Sequence, residues 1–445
     1  MDWFVALVMV VPAFALYSQR SSWLIDYLVW ITVLNRGIRR YVDWAGGAFN
    51  VFSPISLTPL VVSGLLFLMV IKNYGSFPPH FRRILNFFGV ALTLAFLVGI
   101  VRNQLAAVYA LAEYLAPISI MGCAVMAGGN ERLLDRWIKT IGWAAIVASA
   151  YGWYQYYTIP PWDAFWVRAV GFEGYLGKLK PTEMTVFSTM AERGPLAGFL
   201  AFAVIPMLVS RRWRNSGGWF SVVFIIATIL LTYVRSSIIT IGMAAILFPV
   251  LNKGRNTVQI MLLLAVVAVA ANLGFSSIPS SNQIGARMGS IGSITEDGSF
   301  KGRIDIARYG LSAVLGNPLG TGLGSTGLAG RVNTGEIEAQ ASIGDNGYFA
   351  ILFSLGWIGA GAFFYAFYLI WRQARIFEKM GVKNESLMMF KTLFVTGAVA
   401  LIAGDWLSGP SSVVFCIFSG FAVNPAASLR ALRERAGAKN HPAAN

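Results

Sequence analysis

The sequence predicts an all-α polytopic membrane protein with about 12 transmembrane helices and two large segments on one face of the membrane. Composition is the first observation: 56% of the 445 residues are hydrophobic and 12% are charged, whereas a soluble domain carries about 25% charged residues. The mean hydropathy is accordingly high, at +0.62. Second, apolar runs of about 15 to 25 residues recur along the chain, which is the length of a membrane-spanning helix. Third, short basic stretches separate these runs, as is typical of topology signals.

The apolar runs define the predicted helices in order. Only α-helices and closed barrels satisfy their backbone hydrogen bonds inside a bilayer, and the alternating pattern of a barrel strand is absent from the sequence. The predicted spans are Trp3–Tyr17, Trp23–Leu34, Ser56–Ile71, Ile84–Val101, Leu105–Ala127, Ile138–Tyr157, Pro195–Ser210, Trp219–Val234, Ser236–Leu251, Thr257–Phe275, Asn346–Ile370, Leu393–Ala403 and Ser411–Val423. The first two and the last two are short for a full crossing, so the helix count is approximate.

The basic residues predict the orientation, because Lys and Arg collect in short cytoplasmic loops. If the spans alternate, one side of the membrane receives the clusters Lys72–Arg83, Arg132–Lys139, Arg211–Arg214, Lys253–Arg255, Arg372–Lys383 and Arg430–Lys439. That side is the cytoplasm, and the two longer segments then face outward. The N-terminal hairpin stays unassigned, because an odd number of crossings would place Met1 outside.

The same pattern divides the chain into segments. These are N-terminal transmembrane helices in residues 1–157, a periplasmic loop in 158–194, central transmembrane helices in 195–275, a large periplasmic loop in 276–344, C-terminal transmembrane helices in 345–423 and a cytoplasmic tail in 424–445.

Composition also excludes several classes of site. The net charge of +15 would indicate nucleic-acid binding in a soluble protein, but here the basic residues flank predicted helices and serve as topology signals. Two cysteines and two histidines provide neither a disulfide framework nor the ligand spacing of a zinc site. We therefore expect no nucleic-acid partner, no metal and no cofactor.

Several arginines lie on the side where few are expected. They are Arg102, Arg168, Arg193, Arg235, Arg287, Arg303, Arg308 and Arg331. Arg235 is the most informative, because it interrupts an apolar stretch with almost no loop around it. A charge at membrane depth costs at least about 2.5 kcal/mol unless it faces a polar cavity or partner. Each arginine could extend its head to the lipid headgroups; as a group, they suit bidentate binding of a diphosphate.

Two further features lie near the start of a C-terminal helix. Residues 316–325 are rich in glycine and form either a turn over the membrane face or a stretch whose N–H groups approach an anion. Asp345 follows the second large segment and is either a helix cap or an outward carboxylate with a chemical role.

Asp26 and Glu113 lie inside apolar runs, where a functional role, a proton relay and helix packing all stay open.

These residues resemble the superfamily of O-antigen ligases and Wzy-type polymerases of bacterial surface polysaccharides. The ligase branch carries His-Asn, nine variable residues and Gly-x-x-Gly, and here Asn346 is followed by Gly347–Leu355 and then by Gly356-Trp-Ile-Gly359. Four weaker likenesses accompany this motif. Asn317–Ser325 resembles the family's Pro-Leu-Gly-x-Gly stretch, and Gly302-Arg303 resembles its Gly-Arg. The stretch from Val186 through Gly194-Pro-Leu-Ala resembles the segment ahead of a mid-chain span, and Leu231 through Arg235-Ser-Ser resembles the family's Arg-Ser helix junction. The resemblance covers about residues 168 to 359 in order.

The resemblance implies a glycosyltransferase with a GT-C-like fold and metal-independent, inverting transfer. Asp345 stands where ligases have histidine, which favours the polymerase branch over the ligase branch. A polymerase joins undecaprenyl-diphosphate-linked oligosaccharide repeat units, whereas a ligase moves the glycan to a lipid A core. Donor and acceptor lipids and the surrounding membrane lipids are then the partners, and a chain-length regulator stays open.

The chemistry assigns roles to the candidate residues. Asp345 is the expected base for the attacking hydroxyl, and the expected diphosphate- and sugar-binding residues are Arg235, Arg303, Arg168, Arg193, Arg287, Asn346 and Tyr348. The alternative from another class is a transporter or flippase of lipid-linked oligosaccharides. Such proteins often carry internal repeats with paired broken helices, which the sequence does not display.

Overall fold

The computed structural model describes residues 1–50, 53–173, 175–190, 192–252, 314–326, 346–382 and 384–425. In these ranges the chain forms helices, turns and one isolated β-bridge between Gly177 and Met184, without a β-strand. The all-α prediction is therefore confirmed for the described ranges. Five of their helices are long and apolar enough to cross a membrane, and several shorter apolar helices accompany them.

The described helices overlap the predicted spans, except for α7, which lies in the predicted loop 158–194. They are α1 (Asp2–Ser18), α2 (Trp23–Ala45), α3 (Thr58–Lys72), α4 (Pro79–Asn103), α5 (Leu105–Met126), α6 (Glu131–Thr158), α7 (Pro161–Ala169), α8 (Arg193–Val209), α9 (Gly218–Leu231), α10 (Arg235–Asn252), α11 (Gly347–Lys379), α12 (Glu385–Ala400) and α13 (Ser412–Val423). The span predicted at Thr257–Phe275 lies outside the described residues. The full count of about 12 spans and the GT-C-like topology stay predictions.

The described chain separates into two compact units. The first contains residues 1–65, 135–252 and 409–412, and so holds α1, α2, most of α3 and α6, and α7 to α10. The second contains residues 66–134, 314–408 and 413–425, with the gaps given above, and holds α4, α5, α11, α12 and α13.

In the first unit, two basic clusters lie at the same end. Arg136 of α6 donates to Ser22, in the turn between α1 and α2. One residue earlier, Asp135 pairs with Arg212 at 2.5 Å, which joins the cluster Arg132–Lys139 to the cluster Arg211–Arg214. The turn after α1 and both clusters therefore share one end of the unit. This arrangement agrees with alternating crossings in this part of the chain.

Helix α2 is about twice as long as predicted. The expected span Trp23–Leu34 was ended at the first of three arginines, but the helix continues to Ala45. Two of these arginines stay on the helix because they have partners: Arg39 pairs with Asp43 one turn later at 3.3 Å, and the buried Arg40 pairs with Asp163 at 3.0 Å. Paired charges are tolerated where isolated ones are not, so the predicted boundary was wrong.

Helix α11 was predicted as one continuous span and is broken. Gly356 lies inside it with φ 66° and ψ 171°, which is not a helical conformation. The break brings the ring of Tyr348 in the first limb to 5.8 Å from the ring of Phe364 in the second. At 1.5 Å of rise per residue, these two positions would lie about 24 Å apart along a straight helix. The first limb is therefore folded back strongly at Gly356.

Helix α12 also differs from its prediction. Leu393–Ala403 was predicted, whereas the helix begins eight residues earlier at Glu385 and ends at Ala400. Lys391 had marked the expected boundary, but its ammonium is buried and pairs with Glu378 at 3.0 Å. A neutralised charge again lengthens a helix beyond its apolar run.

Candidate functional site

Two of the predicted arginines begin neighbouring helices in the first unit. Arg193 is the first residue of α8 and Arg235 is the first residue of α10, and the two helices pack against each other. Short connections through α9 make α8 and α10 parallel, so both arginines lie at the same end of the pair. Both side chains are partly buried.

The charge at these helix starts is unusual. A helix N-terminus carries a partial positive charge, so acidic residues are favoured there and cations are not. Neither α8 nor α10 has an acidic residue in its first turn, and each begins with arginine, while Glu192 occupies the N-cap position of α8. Two N-terminal dipoles and two guanidinium groups therefore outweigh one carboxylate at this end of the unit. Such an end favours an anion.

The backbone around these helix starts is strained. Tyr233, two residues before Arg235, has φ +56°, and Ser188, five residues before Arg193, has φ +51°. Non-glycine residues adopt this left-handed conformation rarely, at a cost of roughly 1–2 kcal/mol, and such strain clusters at functional sites. The N–H of Val186 donates to the carbonyl of Leu231 at 3.1 Å. The segment before α8 is thereby fixed to the junction before α10.

A buried ion pair anchors the same segment to α2. The guanidinium of Arg40 pairs with Asp163 at 3.0 Å, and both side chains are almost fully buried. Arg40 also donates to the carbonyls of Met190, at 2.9 Å, and of Ser188. Its guanidinium lies 4.8 Å from the ring centre of Phe187. One side chain therefore holds α2, α7 and the residues just before α8 together.

Gln155 of α6 completes this network. Its side-chain N–H donates to Asp163 at 2.6 Å, and its oxygen accepts from the N–H groups of Phe187 and Ser188 at 3.0 and 2.8 Å. The left-handed conformation of Ser188 is thus supported by Arg40 and Gln155 from two sides. Partners on several elements are what such strain requires to persist.

The sequence reasoning missed Arg40, Gln155 and Asp163. The only signal in the sequence was that the run Arg-Gly-Ile-Arg-Arg directly follows an apolar helix and has Asp43 a turn after Arg39, which is the spacing of a helical ion pair. Nothing local connects Arg40 with a carboxylate more than a hundred residues later.

Arg168 lies at the end of α7 and is exposed. Its guanidinium pairs with Glu173 at 3.6 Å, and 68% and 58% of the two side chains are exposed. Arg193, by contrast, lies with its guanidinium 4.5 Å from the ring centre of Tyr175. Three other predicted site residues, Arg287, Arg303 and Asp345, lie outside the described residues.

In the second unit, Asn346 caps the first limb of α11. Its side-chain oxygen accepts from the N–H groups of Tyr348 and Phe349 at 3.0 and 3.3 Å. The cap predicted as one reading of Asp345 is thus made by the next residue. The hydroxyl of Tyr348 donates to the carbonyl of Ala398 at 2.7 Å. Both residues predicted to bind substrate therefore also hold the local structure.

Asp405 lies beside the start of α11. A side chain on Gly347 would come within 3.1 Å of the Asp405 backbone. The Asp405 carboxylate accepts from the N–H of Leu407 at 2.9 Å, the hydroxyl of Ser408 at 3.0 Å and the hydroxyl of Tyr114 at 3.3 Å. Burial raises the pKa of Asp405 above its usual range, and these hydrogen bonds oppose the shift.

The glycine-rich stretch begins as an exposed turn at residues 316–319 and continues into a mostly buried segment at residues 320–325. The N–H groups of Thr321 and Gly322 donate to the carbonyls of Phe353 and Ser354, at 2.9 and 3.1 Å, and the N–H of Leu323 donates to Ala95 of α4 at 2.9 Å. These donors are therefore not available to a phosphate. We call residues 318–325 the glycine wedge.

Glycine is required in the wedge because backbone meets backbone there. Side chains at Gly320 and Gly322 would collide with the backbones of Gly356 in α11 and Gly99 in α4. Asn103 donates to the wedge carbonyls of Leu323 at 2.8 Å and Thr321 at 3.2 Å. The wedge fills the break in α11 and supplies donors to the carbonyls that the break releases.

Asp26 has a packing role. Its carboxylate pairs with Arg136 of α6 at 3.0 Å and accepts from the hydroxyl of Thr140 at 2.6 Å. These contacts join α2 to α6, so the helix-packing alternative is the one that the geometry supports.

Residues 220–364 match the Wzy_C family model, described as O-antigen ligase. The match includes Arg235, the first limb of α11 and the Gly356-x-x-Gly359 motif, whereas Arg168 and Arg193 lie before it. Residues 220–364 are thus similar to the O-antigen ligase family, which lies in the superfamily of ligases and polymerases that the motifs predicted, and the described chain has several apolar membrane-type helices. A comparison with curated proteins found no match.

Proposed function

We propose that this protein is a glycosyltransferase that polymerises undecaprenyl-diphosphate-linked oligosaccharide repeat units into a surface polysaccharide at the periplasmic face of a bacterial inner membrane. One observation carries the proposal: an O-antigen ligase-type domain contains a helix that begins with Arg235, beside a parallel helix that begins with Arg193. Two helix N-termini that each carry a guanidinium group suit a diphosphate.

The reaction requires charge stabilisation at the leaving group. The acceptor hydroxyl oxygen attacks the anomeric carbon of the donor from the face opposite the diphosphate. The bond from that carbon to the diphosphate oxygen breaks, and its electron pair leaves with the lipid diphosphate. Guanidinium groups and helix N-termini placed before the reaction stabilise this developing charge, which is the role we assign to Arg235 and Arg193. Arg303 and Arg287 are assigned to the same diphosphate on sequence grounds.

Asp345 is our candidate for the base. The hydroxyl proton has to leave as the new bond forms, and a carboxylate within hydrogen-bond reach accepts it. Asn346 makes the N-terminal cap of α11, with its side-chain oxygen on two N–H groups. The structural duty that competes with catalysis at this helix start is thus performed by the neighbour, which supports a chemical role for Asp345.

The proposed orientation follows from the first unit. If the clusters around Arg136 and Arg212 are cytoplasmic, the turn between α1 and α2 is cytoplasmic too, because Ser22 contacts Arg136. The other end of α2 then lies outside with Arg40 and its partner Ser188. On this proposal Met1 lies in the periplasm and the number of crossings is odd.

Purified protein in proteoliposomes with lipid-linked repeat units tests the proposal. We expect a ladder of polymers on the lipid carrier without added nucleotide or metal, and Asp345→Asn should lower the rate roughly 10²-fold or more while keeping the melting temperature. An active Asp345→Asn protein would remove Asp345 from the mechanism. If wild-type protein forms no polymer from these substrates, the polymerase assignment fails.

Ligation is the second candidate, because the matching family is described as O-antigen ligase. The same proteoliposomes with lipid A core as acceptor distinguish the two activities. A single glycan attached to the core, without a ladder on the carrier, would support the ligase. Asp345 in place of the ligase histidine favours the ladder.

A further inference from the structure

A cleft of about 560 Å³ opens in the first unit, at the C-terminal end of α2 and along α7. It is lined by Trp44, Pro161, Ala164, Phe165, Arg168 and Ala169. Its volume falls in the range of small-molecule sites, which are mostly apolar with a few polar groups that orient the ligand. The diphosphate chemistry proposed above uses none of the apolar lining residues.

Trp44, which lines the cleft, belongs to a cluster of aromatic rings. The rings of Tyr41, Trp44 and Trp162 contact one another edge-on or tilted, with centroids 5.4 to 5.9 Å apart. Tyr41 is 51% exposed and Trp44 is 39% exposed. Aromatic side chains supply a large amphipathic contact area with few torsions to freeze. The cluster can therefore bind a ligand at a low entropic cost.

The buried network fixes one of these rings. The indole N–H of Trp162 donates to the hydroxyl of Tyr151 at 2.5 Å, and that hydroxyl donates to Asp163 at 2.9 Å. Asp163 is the carboxylate held by Arg40. The orientation of Trp162 is thus set by a buried charge pair, and the platform is preorganised in the sense that favours binding.

A polar pair stands at the end of the cleft. Arg168 and Glu173 are both exposed and contact each other at 3.6 Å, which leaves further guanidinium donors and carboxylate acceptors directed to solvent. A sugar residue has a C–H face that packs on aromatic rings and a rim of hydroxyl groups that both donate and accept. The cleft presents the complement of each surface.

A run of aromatic rings connects the cleft to the arginine at the start of α8. Trp166, next to the cleft residue Phe165, has its ring 5.7 Å from that of Phe172, which lies 5.6 Å from Tyr175. The guanidinium of Arg193 lies 4.5 Å from the ring centre of Tyr175. Trp166 is buried, so this run of rings is internal packing that fixes the cleft relative to Arg193.

We propose that the α2–α7 cleft is a saccharide subsite that holds a sugar residue of the glycan away from the transfer centre. This rests on the proposed function, since it assumes that the substrate is a glycan. Trp44 and Phe165 would pack on the sugar face, and Arg168 with Glu173 would bind hydroxyl groups at the rim. The competing occupant is a lipid headgroup, because aromatic residues also gather at membrane interfaces.

A binding measurement tests the subsite without requiring catalysis. The probe is the lipid-free oligosaccharide released by mild acid from the surface polysaccharide of the producing cells. It is titrated by calorimetry into the full chain in phosphatidylcholine nanodiscs. We expect Trp44→Ala and Arg168→Gln each to weaken binding at least tenfold with little change in melting temperature. Trp143→Ala is the matched control, because Trp143 is a similarly exposed tryptophan, at 44%, on α6, and it should bind as wild type does.

The outcomes separate this proposal from the proposed function. Wild-type affinity in both cleft variants, or no binding by wild-type protein, would overturn the subsite. If the variants change only the response of the melting temperature to phosphatidylglycerol in the nanodisc, the cleft is a lipid site and the proposal is wrong. Cleft-dependent sugar binding by a protein that makes no polymer would instead retain the subsite and reject the polymerase.

Discussion

Replacing Arg40 should damage this protein more than replacing any exposed arginine, although no sequence pattern marks it as special. In Arg40→Met, the buried Asp163 loses its cation, and the carbonyls of Ser188 and Met190 lose their donor. Removing one partner of a buried ion pair costs about 3–5 kcal/mol. We therefore expect a loss of about 4 kcal/mol, which corresponds to a fall of roughly 10 °C in melting temperature.

A double variant tells charge from hydrogen bonding. In Arg40→Met with Asp163→Leu, no buried charge is left unpaired, so the double variant should be about 2 kcal/mol more stable than Arg40→Met alone. It should still melt below wild-type protein, because the two carbonyls remain without their donor. Arg40→Lys keeps the charge but not the planar fork that serves three acceptors, so we expect an intermediate loss.

The melting temperature is measured in detergent, by heating samples and monitoring the folded fraction with size-exclusion chromatography. Arg36→Met is the control, since Arg36 lies one turn earlier on the same helix and should melt within about 2 °C of wild-type protein. If Arg40→Met melts where Arg36→Met does, the argument that this ion pair anchors the segment before α8 is refuted.

Three other predictions concern the arginine junction, the wedge and the orientation. Arg235→Lys should lose activity nearly as fully as Arg235→Ala, because a point charge does not replace a planar fork on diphosphate; a Lys variant with most of its activity at normal expression would contradict this. Gly322→Ala should lower the melting temperature, because φ is +87° and the new carbon meets the Gly99 backbone, whereas Gly361→Ala has open space and should be neutral. A single cysteine introduced at Ser281 should react with an impermeant maleimide in intact cells, and labelling only after lysis would reverse the proposed topology.

Hydropathy alone predicts where most described helices lie, because each apolar run has to be buried or face lipid. The predicted boundaries at Leu34 and at Leu393 were wrong for one reason. Hydropathy treats a charged residue as the end of a span, but Arg40 pairs with Asp163 and Lys391 pairs with Glu378, so the helices continue through these charges. Those partners are set by the tertiary fold, and no window of local sequence contains both Arg40 and Asp163.

The candidate site was predictable in part for a similar reason. Arg235 and Arg193 stand out because a cation at a helix junction is anomalous in the sequence itself; the structure places both at helix starts, and their role in binding stays a prediction. The glycine-rich stretch could not be assigned from the sequence, because glycine equally permits a phosphate or another backbone to approach. Only the positions of Gly99 and Gly356, from distant parts of the chain, decide between the two.

The glycine wedge also bears on how the second unit is assembled during synthesis. The ribosome produces the wall that receives the wedge, in α4 and α5, before the wedge itself, and the carbonyls that the wedge serves, at Phe353 and Ser354, come last. The wedge can thus pack on helices that are already synthesised, and the first limb of α11 can pack on the wedge. Until residues 321 and 322 are in place, a straight helix is the more favourable conformation for the first limb of α11, because it satisfies the backbone carbonyls within the helix. The bend at Gly356 therefore depends on residues 321 and 322, which are synthesised some thirty residues before the carbonyls that they contact.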